Sequence, residues 1–275
     1  MTPRVPTIGV FDSGVGGLTV LGALLAQVSA ADYLYLGDTA RLPYGSKSQA
    51  TVARYAVSSA HFLVEQGAEA LVIACNTASA LALDALRAAV EVPVIGVIET
   101  GATAALQSSE TGDVMVIATA ATVESHAYSA ACRERGLRAI EKACPLLVPL
   151  VEEGWIEHSV TREVTAIYLD DLLSHAAAAG MTADTLVLGC THYPLLRDVI
   201  EATLREHDSG HAVRVIDSAH VTAEQVGARL ALESSALREP QVRFYATDSV
   251  EKFRTLGGRF LGRAIDGVEL VDLDR

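Results

Sequence analysis

The chain has 275 residues, half of them hydrophobic, 5% aromatic and 20% charged. That is apolar mass for one or two domains of roughly 100–200 residues each, and it excludes a disordered chain. The 34 acidic and 21 basic side chains give a formal charge of −13 with no Lys/Arg block, which argues against nucleic acid and anionic membranes as partners.

In chain order, short β-branched runs alternate with longer amphipathic ones. "TIGVFD" (7–12) reads as a strand and 16–28 as a helix. A strand follows at 32–38, then a helix at 48–67 closing on Gly67, a C-cap residue. "EALVIAC" (69–75) is a strand, 77–90 a helix and "VPVIGVI" (92–98) a strand. The alternation restarts with a strand at 112–119, a helix at 122–136 and a long helix at 158–180. "DTLVLGC" (184–190) is a strand, 194–207 a helix, 212–218 a strand and 219–233 a helix. Late strands at 241–248 and 267–273 flank a short helix.

Apolar strands alternating with helices imply an α/β fold of mostly parallel sheets, covered on both faces. Ligands on such sheets bind at the carboxyl ends of the strands. Asp12, Ser13, Asp38, Cys75, Thr119, Cys190 and Asp217 all fall at those ends. An echo between the halves, "LVIACNTAS" against "LVLGCTHYP", predicts two related lobes facing each other, with boundaries near Glu99 and near 210.

The four cysteines form no CxxC and read neither as a disulfide framework nor as a zinc ribbon. No H-x₃-H or HExxH is present, so no metal is expected. Neither a signal-peptide h-region nor an 18-residue apolar run is visible. The expected compartment is the cytoplasm.

Cys75 and Cys190 each end a strand before a helix. There the helix N-terminus favours a thiolate. His192 lies two residues beyond Cys190, and Asp12 is the matching candidate beside Cys75. Cys132 and Cys144 lack such surroundings and read as structural. His61, His126, His158, His175, His207, His211 and His220 read mostly as surface residues. "DSGVGGLTV" fits no frame of the dinucleotide fingerprint, and its glycines read instead as a tight turn with amides suited to a carboxylate. Ser13, Asn76, Thr77, Thr119, Thr122 and Thr191 are hydroxyls and an amide at strand ends or helix starts. Each is an ordinary capping type, and together they suit a small dicarboxylate or amino acid. Two thiols in paired lobes fit stereochemical inversion, in which one base removes a proton from one face and a second acid returns one to the other.

The stretches "IGVFDSGVGGLTV" (8–20), "YLGDTARLPYGSKS" (35–48), "LVIACNTASA" (71–80), "VPVIGVIE" (92–99), "PLLVPLVEEG" (145–154), "LVLGCTHYPLL" (186–196) and "VIDSA" (215–219) resemble those of the glutamate racemases of the aspartate/glutamate racemase superfamily. The resemblance runs from the first strand to about residue 230. It implies two pseudo-symmetric lobes with the active site in the cleft between them, 1–98 plus 211–275 as a discontinuous first lobe and 99–210 as an inserted second lobe, and a cofactor-independent enzyme supplying D-glutamate for peptidoglycan. Cys75 would be the base toward D-glutamate, assisted by Asp12, and Cys190 the base toward L-glutamate, assisted by His192. Ser13, Pro43, Tyr44, Gly45, Asn76, Thr77, Thr119, Thr122 and Thr191 would line the substrate pocket, with Glu153 near the site. A homodimer is among the states the family implies. Thr100 stands where many members have proline, a change to the local turn. Few residues precede the first strand, so regulation through a longer N-terminal arm is not expected. The rival readings are an aspartate or other small amino-acid racemase, a related decarboxylase needing one thiol, and a non-catalytic amino-acid-binding protein.

Overall fold

The computed structural model describes residues 5–206, 212–232 and 239–273. The chain divides into two compact units. One holds the residues up to Val97 together with those from Ala219 onward, and the other is Ile98–Ser218.

In the first unit β1 (Thr7–Asp12), α1 (Leu18–Gln27), β2 (Asp32–Gly37), α2 (Gln49–Glu65), β3 (Ala70–Ile73), α3 (Asn76–Ala89) and β4 (Val94–Gly96) follow one another. The second unit contains α4 (Val97–Ser108, which starts at the boundary), β5 (Asp113–Ala118), α5 (Ala120–Glu124), α6 (Ala127–Glu134), β6 (Arg138–Ala143) and α7 (Leu147–Glu152). It continues with α8 (Ser159–Ala178), β7 (Thr185–Gly189), α9 (Arg197–Glu206) and β8 (Arg214–Ile216). The chain then rejoins the first unit with α10 (Ala219–Arg229), β9 (Val242–Ala246), α11 (Val250–Leu261) and β10 (Val268–Leu270).

The first sheet has the order β10-β9-β2-β1-β3-β4 and the second β6-β5-β7-β8. All their pairings are parallel. The inner strands β3, β5 and β7 are buried at every residue, which is why they read as unbroken apolar runs. Helix α2 shows the opposite signature. Ser48 caps it by accepting the Thr51 amide, and Val52, Ala56, Ser59, Ala60 and Leu63 form its buried stripe. It closes on Gly67 at φ +100°, a backbone state that glycine adopts without steric cost. Among the described residues no helix is long and apolar enough to cross a membrane.

The structure departs from the sequence reading at five places. The run 92–98 is a strand only at Val94–Gly96, and α4, absent from the reading, begins at Val97. Ser79 Oγ accepts the Val97 amide at 3.1 Å, drawing the backbone out of the sheet. The expected helix 122–136 is split into α5 and α6 by His126 at φ +54°. Strand β6 and helix α7 were not read. Residues 139–143 of β6 are half-buried and Arg138 is exposed; its charged residues Arg138, Glu141 and Lys142 mark a blunted sheet edge and hide the strand pattern. The helix expected from 194 starts as a 3₁₀ turn, Tyr193–Leu196, and becomes α-helical at Arg197. The second crossing between units falls after Ser218 rather than at 210/211, because β8 pairs with β7. The expected helix ends at 207 and 233, with His207 and His211, lie outside the described residues.

Candidate active site

Cys75 follows β3 and is the N-cap of α3, with extended backbone at φ −68° and ψ 117°. Its Sγ accepts the Ala78 amide at 3.4 Å, and its S–H donates to Ser13 Oγ at 3.6 Å. The residue is 5% exposed. Burial and the charge of Asp12 push the thiol up to about 12, against the smaller downward pull of the Ala78 amide and Ser13. The helix start acts in the expected direction, but desolvation outweighs it. Burial and the Asp12 charge thus favour the thiol form of Cys75 over the thiolate.

Asp12 ends β1, the strand beside β3, and is fully buried. Its Oδ2 accepts the Gly14 amide at 2.8 Å. An amide of the glycine turn thus holds the protein's own carboxylate, where the sequence reading placed a ligand's. A Cβ on Gly17 would stand 2.6 Å from Asp12 Cβ and 2.8 Å from Ala74 Cβ, so only glycine allows this approach. Tyr35, which the sequence did not single out, donates to Gly14 O at 3.1 Å.

Asn76 and Thr77 are buried in the first turn of α3. Tyr44 is also buried, in one apolar cluster with Phe11 and Cys75. Its hydroxyl donates to Asp38 Oδ2 at 2.5 Å. Burial and the Asp38 charge hold that phenol far above the ordinary tyrosine range. Pro43 is exposed and Gly45 half-buried on either side of it.

The second unit repeats the plan with other partners. Ala118 of β5 and Gly189 of β7 are paired in register, so Thr119 and Cys190 follow neighbouring strand ends. Thr119 caps α5 by accepting the Thr122 amide, and the two hydroxyls lie 2.9 Å apart. Cys190, Thr191 and His192 are all buried. His192 Nδ1 lies 4.0 Å from Cys190 Sγ and 3.4 Å from Thr191 Oγ1. Its Nε2 lies 3.3 Å from Glu152 Oε1. Tyr193 fixes the turn below by donating to Cys144 O at 2.9 Å and Ala118 O at 3.2 Å.

The acid at this half-site is thus Glu152, which the sequence reading missed. Glu153, the expected residue, caps the C-terminus of α7 and is exposed. The adjacent glutamates of "LVEEG" could be told apart only by knowing which turn of α7 faces His192.

Asp217 is engaged by Arg197 at 2.7 Å. Thr100 is buried in the first turn of α4. Cys132 and Cys144 are buried free thiols, pushed up to about 11 and about 12 chiefly by burial. His61, His126, His158, His175 and His220 are exposed. Among the described residues no group of three or more His, Cys, Asp or Glu could hold a metal ion.

Residues 8–226 match the family model described as Asp/Glu/Hydantoin racemase. The chain is 50% identical to the glutamate racemase of Koribacter versatilis, covering 99% of both chains. It is 44% identical to that of Chlorobaculum tepidum, covering 97% of this chain and 96% of the relative. The glutamate racemase of Francisella tularensis, solved in complex with D-glutamate, is 35% identical with a TM-score of 0.86 over 98% of both chains. The chain belongs to the Asp/Glu/Hydantoin racemase family, with named glutamate racemases similar to it over nearly its whole length, and it is an enzyme of the racemase class.

Proposed function

We propose that this enzyme interconverts L- and D-glutamate without a cofactor, using Cys75 and Cys190 as two opposed bases, and that it supplies D-glutamate for peptidoglycan in the cytoplasm. The observation that carries the mechanism is the repeated strand-end thiol, each with its own ionisable partner. Asp12 acts on Cys75, and the His192–Glu152 pair stands at Cys190. The similarity to glutamate racemases carries the choice of substrate.

In the direction from L to D, the Cys190 thiolate takes the Cα proton and the electron pair stays on the substrate as a carbanion. The Cys75 thiol then delivers its proton to the opposite face. Its raised thiol suits this acid role. From D to L, Cys75 must first lose that proton, and Asp12 assists. Each turnover exchanges the protonation states of the two thiols, so the reaction balances without an external proton donor. Ser13, Tyr44, Asn76, Thr77, Thr119, Thr122 and Thr191 supply the hydroxyls and amides for the amino acid's polar groups.

The test is circular dichroism of D-glutamate with purified, reduced protein and no added pyridoxal phosphate or metal, beside a D-aspartate control. Decay of the glutamate signal to zero is expected. Decay of the aspartate signal alone would move the enzyme to the sister activity, and two flat traces would overturn the proposal. Rescue of a D-glutamate-requiring bacterium tests the peptidoglycan role, and sedimentation of the same preparation reads the implied homodimer.

A further inference from the structure

The loop after β2 carries Tyr44, and residues from the far end of the chain hold its start. Thr247 directly follows β9, the neighbour of β2. Its hydroxyl donates to Asp38 Oδ1 at 2.9 Å and accepts the Ala40 amide at 2.9 Å. Its own amide bonds to Gly37 O at 3.2 Å. Beside it, Thr39 Oγ1 donates to Asp248 O at 2.6 Å and accepts the Asp248 amide at 2.8 Å.

The other oxygen of Asp38 takes the Tyr44 hydroxyl. Arg41 lies 3.6 Å from that carboxylate and 4.7 Å over the Tyr55 ring, which packs against Tyr44 at 5.9 Å between centroids. The Asp38 amide bonds to Asp12 O at 3.0 Å. One hydroxyl, used as both donor and acceptor, thus ties β9 to the carboxylate that orients Tyr44, and Tyr44 shares its apolar cluster with Cys75.

We propose that Thr247 is a positioning residue. By holding Asp38 and Ala40, it sets the Tyr44 ring against the Cys75 half-site and so tunes substrate affinity rather than proton transfer. The affinity part rests on the glutamate racemase reading. The geometric part, that Thr247 keeps Tyr44 in its place in the Cys75 cluster, does not.

The experiment compares Thr247→Val and Thr247→Ser with the unaltered protein. It measures KM and kcat for D-glutamate, Tm, and the iodoacetamide alkylation rate at Cys75 by peptide mass spectrometry, with Cys190 as internal reference. Thr247→Val keeps the shape and removes the hydroxyl. It should raise KM about fivefold with kcat within about twofold, as expected for one lost hydrogen bond. It should also speed alkylation at Cys75 several-fold without changing Cys190. Thr247→Ser should stay close to the unaltered protein in all four measurements. A folded Thr247→Val with unchanged KM and unchanged Cys75 reactivity would overturn the proposal, as would a lower Tm alone. If the unaltered protein does not racemise glutamate, the functional reading fails, and alkylation alone then decides the positioning role in either direction. If Thr247→Val does not fold, Thr247→Ala carries the same expectations.

Discussion

In the first unit a thiol follows β3, beside β1, and a carboxylate ends β1. In the second unit a thiol follows β7, beside β5, and an imidazole stands two residues beyond it. The strand orders correspond: β2-β1-β3-β4 in one sheet matches β6-β5-β7-β8 in the other. The backbone plan is therefore shared, and the proton chemistry beside each thiol is not. Asp12 is buried and holds the Cys75 proton in place, whereas His192 can exchange a proton and is backed by Glu152. Cys75 opens directly onto a 14-residue α-helix, while Cys190 opens onto a 3₁₀ turn pinned by Tyr193. In the proposed mechanism, this duplicated scaffold with unlike partners lets two chemically identical side chains begin the reaction in different roles.

The strongest way to break the comparison is to remove each thiol in turn. Cys75→Ser and Cys190→Ser should each lower racemisation by at least about a hundredfold, the range for a lost general acid or base. Deuterium uptake in D₂O should survive from L-glutamate alone in the first variant and from D-glutamate alone in the second. Near-normal racemisation by either would sink the two-base assignment.

Gly17→Ala attacks the carboxylate side alone. The added methyl meets Asp12 and Ala74 below 3 Å, and such overpacking costs about 1–3 kcal/mol. Thermal unfolding should show that loss, together with about a tenfold drop in kcat as Asp12 moves from its place beside Cys75.

On the imidazole side, Glu152→Gln should lower kcat about tenfold by weakening the hold on His192, and Glu153→Gln should change it less than about twofold. Equal effects in steady-state kinetics would mean that the α7 register described above does not govern catalysis.

The mildest probe is pH. A thiol raised in the fold from 9.0 to about 12 keeps its proton where the unfolded chain has lost it. The stability linked to Cys75 is thus fully present below pH 9 and falls as pH rises from 9 toward 12. Denaturant titration against Cys75→Ala should show the stability gap between the two proteins changing with pH only in that window. Alkylation of Cys75 in the free protein should climb about tenfold per pH unit well past 8.5, where an ordinary thiol levels off.

Much of this was legible in the sequence because buried parallel strands advertise themselves. Apolar runs such as "ALVI" and "TLVLG", each ending on a small polar group, located both sheets and both thiols. What escaped was governed by tertiary contacts. Strand β6 is charged at a sheet edge, and α4 begins inside an apolar run because Ser79, in the first turn of α3, captures an amide. At the site, residue type and position located the thiol at Cys75, but its proton state depends on burial, which residue type does not show. The choice between Glu152 and Glu153 turned on helical phase, a matter of about 100° of rotation per residue.

Cys75 is also the residue that caps α3, accepting the Ala78 amide through sulfur. Sulfur is a weak acceptor, and serine is among the preferred residues at this position. On the proposed two-base mechanism, α3 starts on a poor cap because the reaction needs a thiol there. Cys75→Ser, the variant expected to end turnover, should melt at a higher temperature than the active enzyme, by the equivalent of about 0.5–1 kcal/mol. Local stability and catalysis are set against each other at one atom.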